Sequence, residues 1–206
     1  MQMIKMSLIS MFHPIVAFYY IKKDREKFNY TPIFLLLLLL VTGRVFSIYV
    51  THFPLATIQP RDANIFLESI KLLLPILTWA LASYAMTTIL DGESLFRETL
   101  MATTYSLMPY IVFIGPVTLL SRILEADMAA LHTGLHTVIW LWVFLLFFIS
   151  LKEMNNYTIK KTVIVTLLSI FTMALIWATF ALFFAISAQF FSFLQEVFIE
   201  VKFKFL

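Results

Sequence analysis

Three charged side chains interrupt long apolar stretches, at positions that can bring them together. Arg44 lies six residues before the end of the apolar stretch 31–50, and Glu68 and Lys71 lie three and six residues after the start of the stretch 65–90. If the two stretches are helices running in opposite directions, both basic groups lie about 9 Å inside the same membrane boundary. Charges at such depth are costly and pair with one another. We therefore expect Arg44 to pair with Glu68 and Lys71 to share the carboxylate, either as a polar pocket or as a structural lock between two helices.

A second candidate site lies in the stretch 97–120, where Tyr105 and Ser106 precede Pro109. A proline inside a helix frees the carbonyl four residues earlier, here that of Tyr105. Broken transporter helices build binding sites from such freed groups. A helix kinked only for packing carries the same residues, so both interpretations stay open.

The sequence carries no recognisable catalytic motif. It has no HExxH, no phosphate-binding loop and no dinucleotide fingerprint. The segment 92–96 is not a nucleophile elbow, because Phe96 stands where that motif needs glycine. There is no Cys, and His132 and His136 find no third metal ligand at a convincing spacing. We expect a protein that is not an enzyme and that binds no metal or cofactor.

The composition excludes an ordinary soluble domain. Of 206 residues, 61% are hydrophobic and 13% charged, and 22 are Phe. Soluble domains are about half apolar and about a quarter charged. Most of this surface must therefore face a lipid bilayer, and the net charge of +3 gives no reason to expect nucleic acid as a partner.

The apolar stretches predict an all-α, polytopic membrane bundle of five transmembrane helices. A helix needs about 20 apolar residues to cross the bilayer core. Five stretches qualify, and they are residues 31–50, 65–90, 97–120, 135–151 and 162–188. We divide the chain into a cytoplasmic N-terminal interfacial segment, 1–30, and a five-span domain, 31–206.

The first 20 residues are apolar but interrupted by Lys5 and by the pair 13–14, His-Pro. We expect an interfacial helix with Met3, Leu8, Met11 and Phe12 dipping into the membrane. A sixth span is the alternative.

The loops predict the orientation. Lys and Arg are concentrated before span one and between spans four and five. By the positive-inside rule these loops and the N-terminus are cytoplasmic, and five spans place the C-terminus outside. We call the two ends of the bundle the predicted cytoplasmic end and the predicted outer end.

Span five carries a stripe of small residues on one helix face, which we name the alanine stripe: Ala174, Ala178, Ala181, Ala185 and Ala188. Small residues let membrane helices approach closely, so this face is expected to pack against another span or another protomer. Beyond residue 188 the pattern suits a helix that continues span five, with a strand over 199–205 as the alternative.

The loop between spans two and three, Asp91, Gly92, Glu93 and Ser94, is predicted to be a tight cytoplasmic hairpin. Gly92 is expected to end span two and Ser94 to cap span three. The hairpin is either a simple turn or a docking point for a cytosolic partner.

Several of these segments resemble the Yip membrane-protein family, the Ypt/Rab-interacting type, in its short bacterial form. The resemblance rests on Phe12, His13, Pro14 and Phe18, on residues 79–92 (WALASYAMTTILDG), and on residues 104–110 (TYSLMPY). It implies five spans, a cytoplasmic N-terminus and no catalysis. Eukaryotic members bind Rab-type GTPases, but this sequence lacks their long cytoplasmic N-terminal region, so Rab binding is not carried over.

The resemblance implies an accessory protein of a bacterial plasma membrane. We expect a scaffold or accessory subunit, beside a transport complex for example, that associates with itself or with another membrane protein through span five. A small transporter or channel using Arg44, Glu68 and Lys71 is the alternative. Bilayer deformation by the N-terminus is a third hypothesis.

Overall fold

The structure describes residues 8–23, 29–56 and 58–205, and in this computed structural model they form helices joined by short connections. The helices are α1 (Pro14–Lys23), α2 (Thr31–Val50), α3 (Ile65–Ile89), α4 (Phe96–Ser106), α5 (Met108–Leu120), α6 (Ala129–Asn155) and α7 (Ile159–Phe205). Two 3-10 turns, Phe53–Leu55 and Ala126–Met128, lie in the connections before α3 and α6. The described ranges contain no strand, and the all-α prediction is confirmed.

Among the described residues, five helical segments are long and apolar enough to cross a membrane. They are α2, α3, the joined pair α4 and α5 (Phe96–Leu120), α6, and α7 as far as Glu196. The predicted polytopic bundle is confirmed, and the chain is a multi-pass membrane protein in contact with lipid.

α6 is longer than the apolar pattern predicts, since it begins at Ala129 and ends at Asn155, beyond both predicted ends. α7 continues to Phe205, as the pattern beyond residue 188 favoured. Hydropathy shows which residues can face lipid, but polar residues also form helices. A helix can therefore extend beyond its apolar stretch. The tail after residue 188 is therefore helical, not a strand.

The span formed by α4 and α5 lies at the centre of the bundle. Of the residues in the most apolar 18-residue segment of this span, 67% are buried, against 17% in the corresponding segment of α7. α4 and α5 both pack against α2 and α6, and α3 joins α4 to α7. Buried apolar side chains fill the core, among them Leu40, Trp79, Leu107, Ile114 and Val143.

The N-terminal segment packs along the bundle. A helical turn over residues 8–12 precedes α1, which contacts α4 and α6. Met11 was expected to dip into lipid, but it is 4% exposed and buried among protein side chains, as are Ala17, Phe18 and Ile21. Leu8 and Phe12 are exposed, as expected of lipid contacts, and Met3 lies outside the described residues. The interfacial position of the segment stays a prediction.

The predicted kink in span three is present as a break between two helices. α4 ends at Ser106, and α5 begins at Met108 with Pro109 in its first turn. Proline is favoured in the first turn of a helix because its missing N–H has no partner there in any case. The break at Leu107 thus separates two regular helices within one span.

Candidate functional site

The three charges predicted to meet do so at the predicted outer end of the bundle. Arg44 Nη2 lies 2.8 Å from Glu68 Oε2, and Lys71 Nζ lies 2.8 Å from Glu68 Oε1. The Glu68 side chain is 6% exposed, that of Arg44 27% and that of Lys71 69%. Glu68 is therefore the buried centre of the cluster, and Lys71 extends towards its surface.

The start of α3 fixes the position of Glu68. The side chain of Asn64 caps this helix by accepting hydrogen bonds from the main-chain N–H groups of Phe66 and Leu67, at 3.1 and 3.2 Å. Glu68 lies in the first turn, where the helix dipole favours a negative charge. Lys71 follows at the i+3 position on the same helix face.

Two adjoining cavities open beside this cluster, and we name them together the outer cleft. The first has a volume of about 170 Å³ and lies between α2 and the start of α6, with Arg44, Thr51, His132 and His136 among its walls. The second, of about 380 Å³, is lined by Arg44, Glu68, Lys71 and His136, and by Tyr110 from the central span. Arg44 and His136 line both cavities, so the two cavities share part of their walls.

His132 and His136 are added to the site by the structure. Their rings are 4.8 Å apart in an edge-to-face arrangement, as their spacing of one helical turn allows. Within the described ranges no group of three His, Cys, Asp or Glu residues is placed to hold a metal ion. The pair is visible in the sequence, but its proximity to Arg44 is not, because that proximity depends on how α6 packs beside α2.

The second predicted site lies at the break in the central span. Tyr105 and Ser106 are buried, and the Ser106 hydroxyl donates to the carbonyl of Ala102 at 2.8 Å. The carbonyl of Tyr105 accepts a hydrogen bond from Ser10 Oγ at 3.3 Å. The freed acceptor is thus occupied by the N-terminal segment, a partner that the sequence did not indicate. Leu107 and Tyr110, which follow towards the outer cleft, are also buried.

The predicted cytoplasmic hairpin is a tight turn that other segments hold in place. Glu93 Oε2 accepts hydrogen bonds from Lys22 Nζ at 2.6 Å and from Asn156 Nδ2 at 3.0 Å. Ser94 donates to Asn155 Oδ1 from its main-chain N–H at 3.2 Å and from its hydroxyl at 2.9 Å. The hairpin therefore ties α1 to the turn between α6 and α7.

One expectation about the caps of this hairpin is wrong. Ser94 was expected to cap the next helix, but the cap residue is Leu95, whose N–H donates to Glu98 Oε2 at 3.0 Å. Gly92 was expected to end span two, and its N–H donates to the carbonyl of Thr87 at 2.7 Å, while Asp91 is the left-handed residue, with φ of 54°. Gly92 is also needed for space, because a Cβ atom there would lie 2.6 Å from Asn155 Oδ1.

Tyr157, in the turn between α6 and α7, makes a contact with the end of α3 that was not predicted from the sequence. Its hydroxyl donates to the carbonyls of Leu90 at 3.0 Å and Thr87 at 3.3 Å, the last carbonyls of span two. Burial raises the pKa of Tyr157, and the nearby charge of Asp91 raises it further. The side chain therefore stays a neutral donor at the end of α3.

The alanine stripe does not pack against the part of the chain that the structure describes. All five of its residues are exposed. α7 instead buries Thr162, Val165 and Ser169 towards α3, and Trp177 Nε1 donates to Thr78 Oγ1 at 3.3 Å. Beyond that contact the side chains of residues 178–193 are exposed, apart from the partly buried Ser187.

The fold and these sites define a polytopic α-helical membrane protein, with a charged cluster at one end of the bundle and an interlocked hairpin at the other. Comparison with protein families finds a match to the Yip1 domain over residues 8–182, which is most of the chain. The chain belongs to the Yip1-domain family, as the resemblance predicted. Comparison with curated proteins gave no match, and neither did comparison with solved structures.

Proposed function

We propose that the chain is a non-enzymatic scaffold or accessory subunit of a membrane protein complex, such as one associated with transport. Its membrane is the bacterial plasma membrane, with the N-terminus in the cytoplasm and the C-terminus outside. The observation that carries the proposal is the exposed far half of α7.

This helix is longer than a bilayer needs. α7 has 47 residues, which at about 1.5 Å per residue makes it about 70 Å long. Between Lys161 and Glu196 the helix has no charged residue over 34 residues, or about 51 Å. The hydrocarbon core of a bilayer is about 30 Å thick. Even a strongly tilted helix therefore carries apolar side chains beyond the lipid, where contact with another protein would remove them from water.

The alanine stripe supports the same proposal. It runs along the exposed face of α7, and small side chains allow another helix to approach the backbone closely. Because none of the described residues covers the five alanines, the expected contact is with a second membrane protein or a second copy.

The test is association in mild detergent. The chain carrying one affinity tag is co-expressed with a copy carrying another tag, and both the second copy and other membrane proteins are identified after purification. Ala181→Trp places a bulky group on the stripe and should reduce recovery of the partner severalfold. Ile186→Trp, on a different exposed face of the same helix, should not. Recovery of an isolated monomer alone would refute the proposal.

A small transporter or channel is the second candidate, and the outer cleft with Arg44, Glu68 and Lys71 is the observation in its favour. This function needs a hydrated path from the cleft to Tyr105. Solute flux in liposomes that Glu68→Gln abolishes would support it. Flux equal to that of empty liposomes would argue against it.

A further inference from the structure

The outer cleft holds more positive than negative charge. Glu68 offers one carboxylate to two cations, with Oε2 bound to Arg44 and Oε1 bound to Lys71. The described residues that line the two cavities include no other acidic side chain. Unbalanced charge at membrane depth is unfavourable, so an additional anion would stabilise the cluster.

Arg44 is suited to hold that anion. A guanidinium carries N–H donors in a planar fork, which allows it to bind a carboxylate on one side and a second anion on another. Its contact with Glu68 engages Nη2. Because Arg44 lines both cavities, an anion in either of them lies beside the guanidinium.

His132 is a second and independent indication of a ligand. Its side chain lines the smaller cavity and the residue is 7% exposed, yet its Nε2 has no hydrogen-bond partner among the described residues. Buried polar atoms in folded proteins nearly always have a partner. An oxygen atom in the cavity would supply one.

From these observations we propose that the outer cleft binds a phosphate group, carried either by a phospholipid headgroup or by a soluble compound. A phosphate presents several oxygen atoms in different directions, so it can accept hydrogen bonds from Arg44 and His132 together. The cleft extends from Thr51, just past the end of α2, to Arg44, seven residues or about 10 Å deeper along that helix. Headgroup phosphates lie at this boundary of a bilayer. The inference does not depend on the proposed scaffold function.

The experiment measures ligand binding to the full chain in detergent by native mass spectrometry. The probes are phosphatidylglycerol, diacylglycerol with the same acyl chains, and inorganic phosphate. Phosphatidylglycerol should bind at least about tenfold more tightly than diacylglycerol if the phosphate is recognised through charge-assisted hydrogen bonds. Inorganic phosphate that competes with the lipid would indicate that a soluble compound can also occupy the cleft.

Three variants assign the binding to the cleft. Arg44→Gln leaves Glu68 paired with Lys71 and removes the excess charge, so phosphate binding should weaken by about tenfold or more. His132→Phe keeps the ring volume, removes the unpartnered nitrogen and should weaken binding by about threefold. Arg61→Gln removes an exposed cation from the loop before α3 and should change nothing.

If Arg44→Gln does not fold, Lys71→Gln removes the same charge excess and keeps the Arg44–Glu68 pair. Lipid binding without phosphate binding places the phosphate on a lipid, and the converse places it on a soluble compound. The proposal is overturned if neither probe binds, if diacylglycerol binds as well as phosphatidylglycerol, or if the cleft variants bind as tightly as the unaltered protein.

Discussion

The hydroxyl of Ser10 lies 3.3 Å from the main-chain oxygen of Tyr105, at the break in the central span. Pro109 has no N–H to offer this oxygen, so the helix itself leaves the acceptor without its usual partner. Tyr105 lies nine residues after the start of α4, about 14 Å along the helix axis. The N-terminal segment therefore packs against the middle of the bundle, and the kinked span and the segment stabilise each other.

Ser10→Ala should lower the free energy of unfolding by about 1–2 kcal/mol, because it leaves a buried carbonyl unsatisfied. The measurement is unfolding of the detergent-solubilised protein by titration with a denaturing detergent. Ser192→Ala is the matched control, since Ser192 is exposed and its hydroxyl bonds within its own helix to Ala188 O at 3.1 Å. Equal effects of the two substitutions would show that the Ser10 contact contributes nothing.

This contact marks the limit of what the sequence could predict. The freed carbonyl of Tyr105 follows from Pro109 alone, because the loss of a helical hydrogen bond is a local effect. The donor is 95 residues away in sequence, and no local pattern connects Ser10 to it. The pairing of Arg44 with Glu68 was predictable across 24 residues because each interrupts an apolar stretch at a depth that counting along the helices gives.

Substitutions of Glu68 and Lys71 should lower the free energy of unfolding by different amounts. Glu68→Gln removes the carboxylate shared by two cations, and Arg44 then lies partly buried without a counter-charge. Breaking a fully buried pair costs about 3–5 kcal/mol. Because Arg44 and Lys71 are partly exposed, we expect Glu68→Gln to lower the free energy of unfolding by about 2 kcal/mol.

Lys71→Gln should cost about 0.5 kcal/mol or less, because this lysine is largely exposed and Arg44 still pairs with Glu68. The same unfolding titration measures both variants. Glu125→Gln, which neutralises an exposed acid near the same end of the bundle, serves as the control and should have no effect. A cost for Lys71→Gln equal to that of Glu68→Gln would contradict the arrangement.

Gly92 in the hairpin and Gly134 in α6 should differ in how substitution by alanine changes the stability of the protein. A Cβ atom at Gly92 would lie 2.6 Å from Asn155 Oδ1 and 2.8 Å from both the Cβ and the carbonyl oxygen of Thr87. Since one of these atoms belongs to the backbone, Gly92→Ala must displace the turn and weaken the contacts between Ser94 and Asn155. We expect a loss of about 2 kcal/mol or more, in the range of overpacked sites.

Gly134→Ala should act in the opposite direction. Gly134 lies inside α6, and a Cβ atom there would meet nothing within 4 Å. Alanine is favoured over glycine in a helix by about 1 kcal/mol, so this variant should be as stable as the unaltered protein or more so. Thermal unfolding of the two variants side by side checks both signs. A stable Gly92→Ala protein would show that the turn has more space than the close approach of Asn155 implies.

The hairpin also shows why the cap of span three was predicted incorrectly. Serine near the start of a helix is a good local signal, and it occurs here. The side chain of Asn155, which belongs to α6, bonds to Ser94 and fills the space beside Gly92. A tertiary contact thus replaced the local role of Ser94.

The turn between α6 and α7 gives a prediction about pH. Burial and the charge of Asp91 raise the pKa of Tyr157, so the folded protein keeps this tyrosine protonated at a pH where the unfolded chain has begun to ionise it. The stabilisation from Tyr157 is therefore complete below pH about 10 and is lost as the pH rises above that value.

At pH 8, Tyr157→Phe should be less stable by about 1 kcal/mol, because the hydrogen bonds to Leu90 and Thr87 are absent. As the pH rises above about 10, the difference in stability between the two proteins should narrow, since phenylalanine does not titrate. Tyr30→Phe alters an exposed tyrosine near the same end of the bundle and should leave the stability unchanged at pH 8. A gap between Tyr157→Phe and the unaltered protein that stays constant across this range would show that ionisation of Tyr157 is not linked to unfolding.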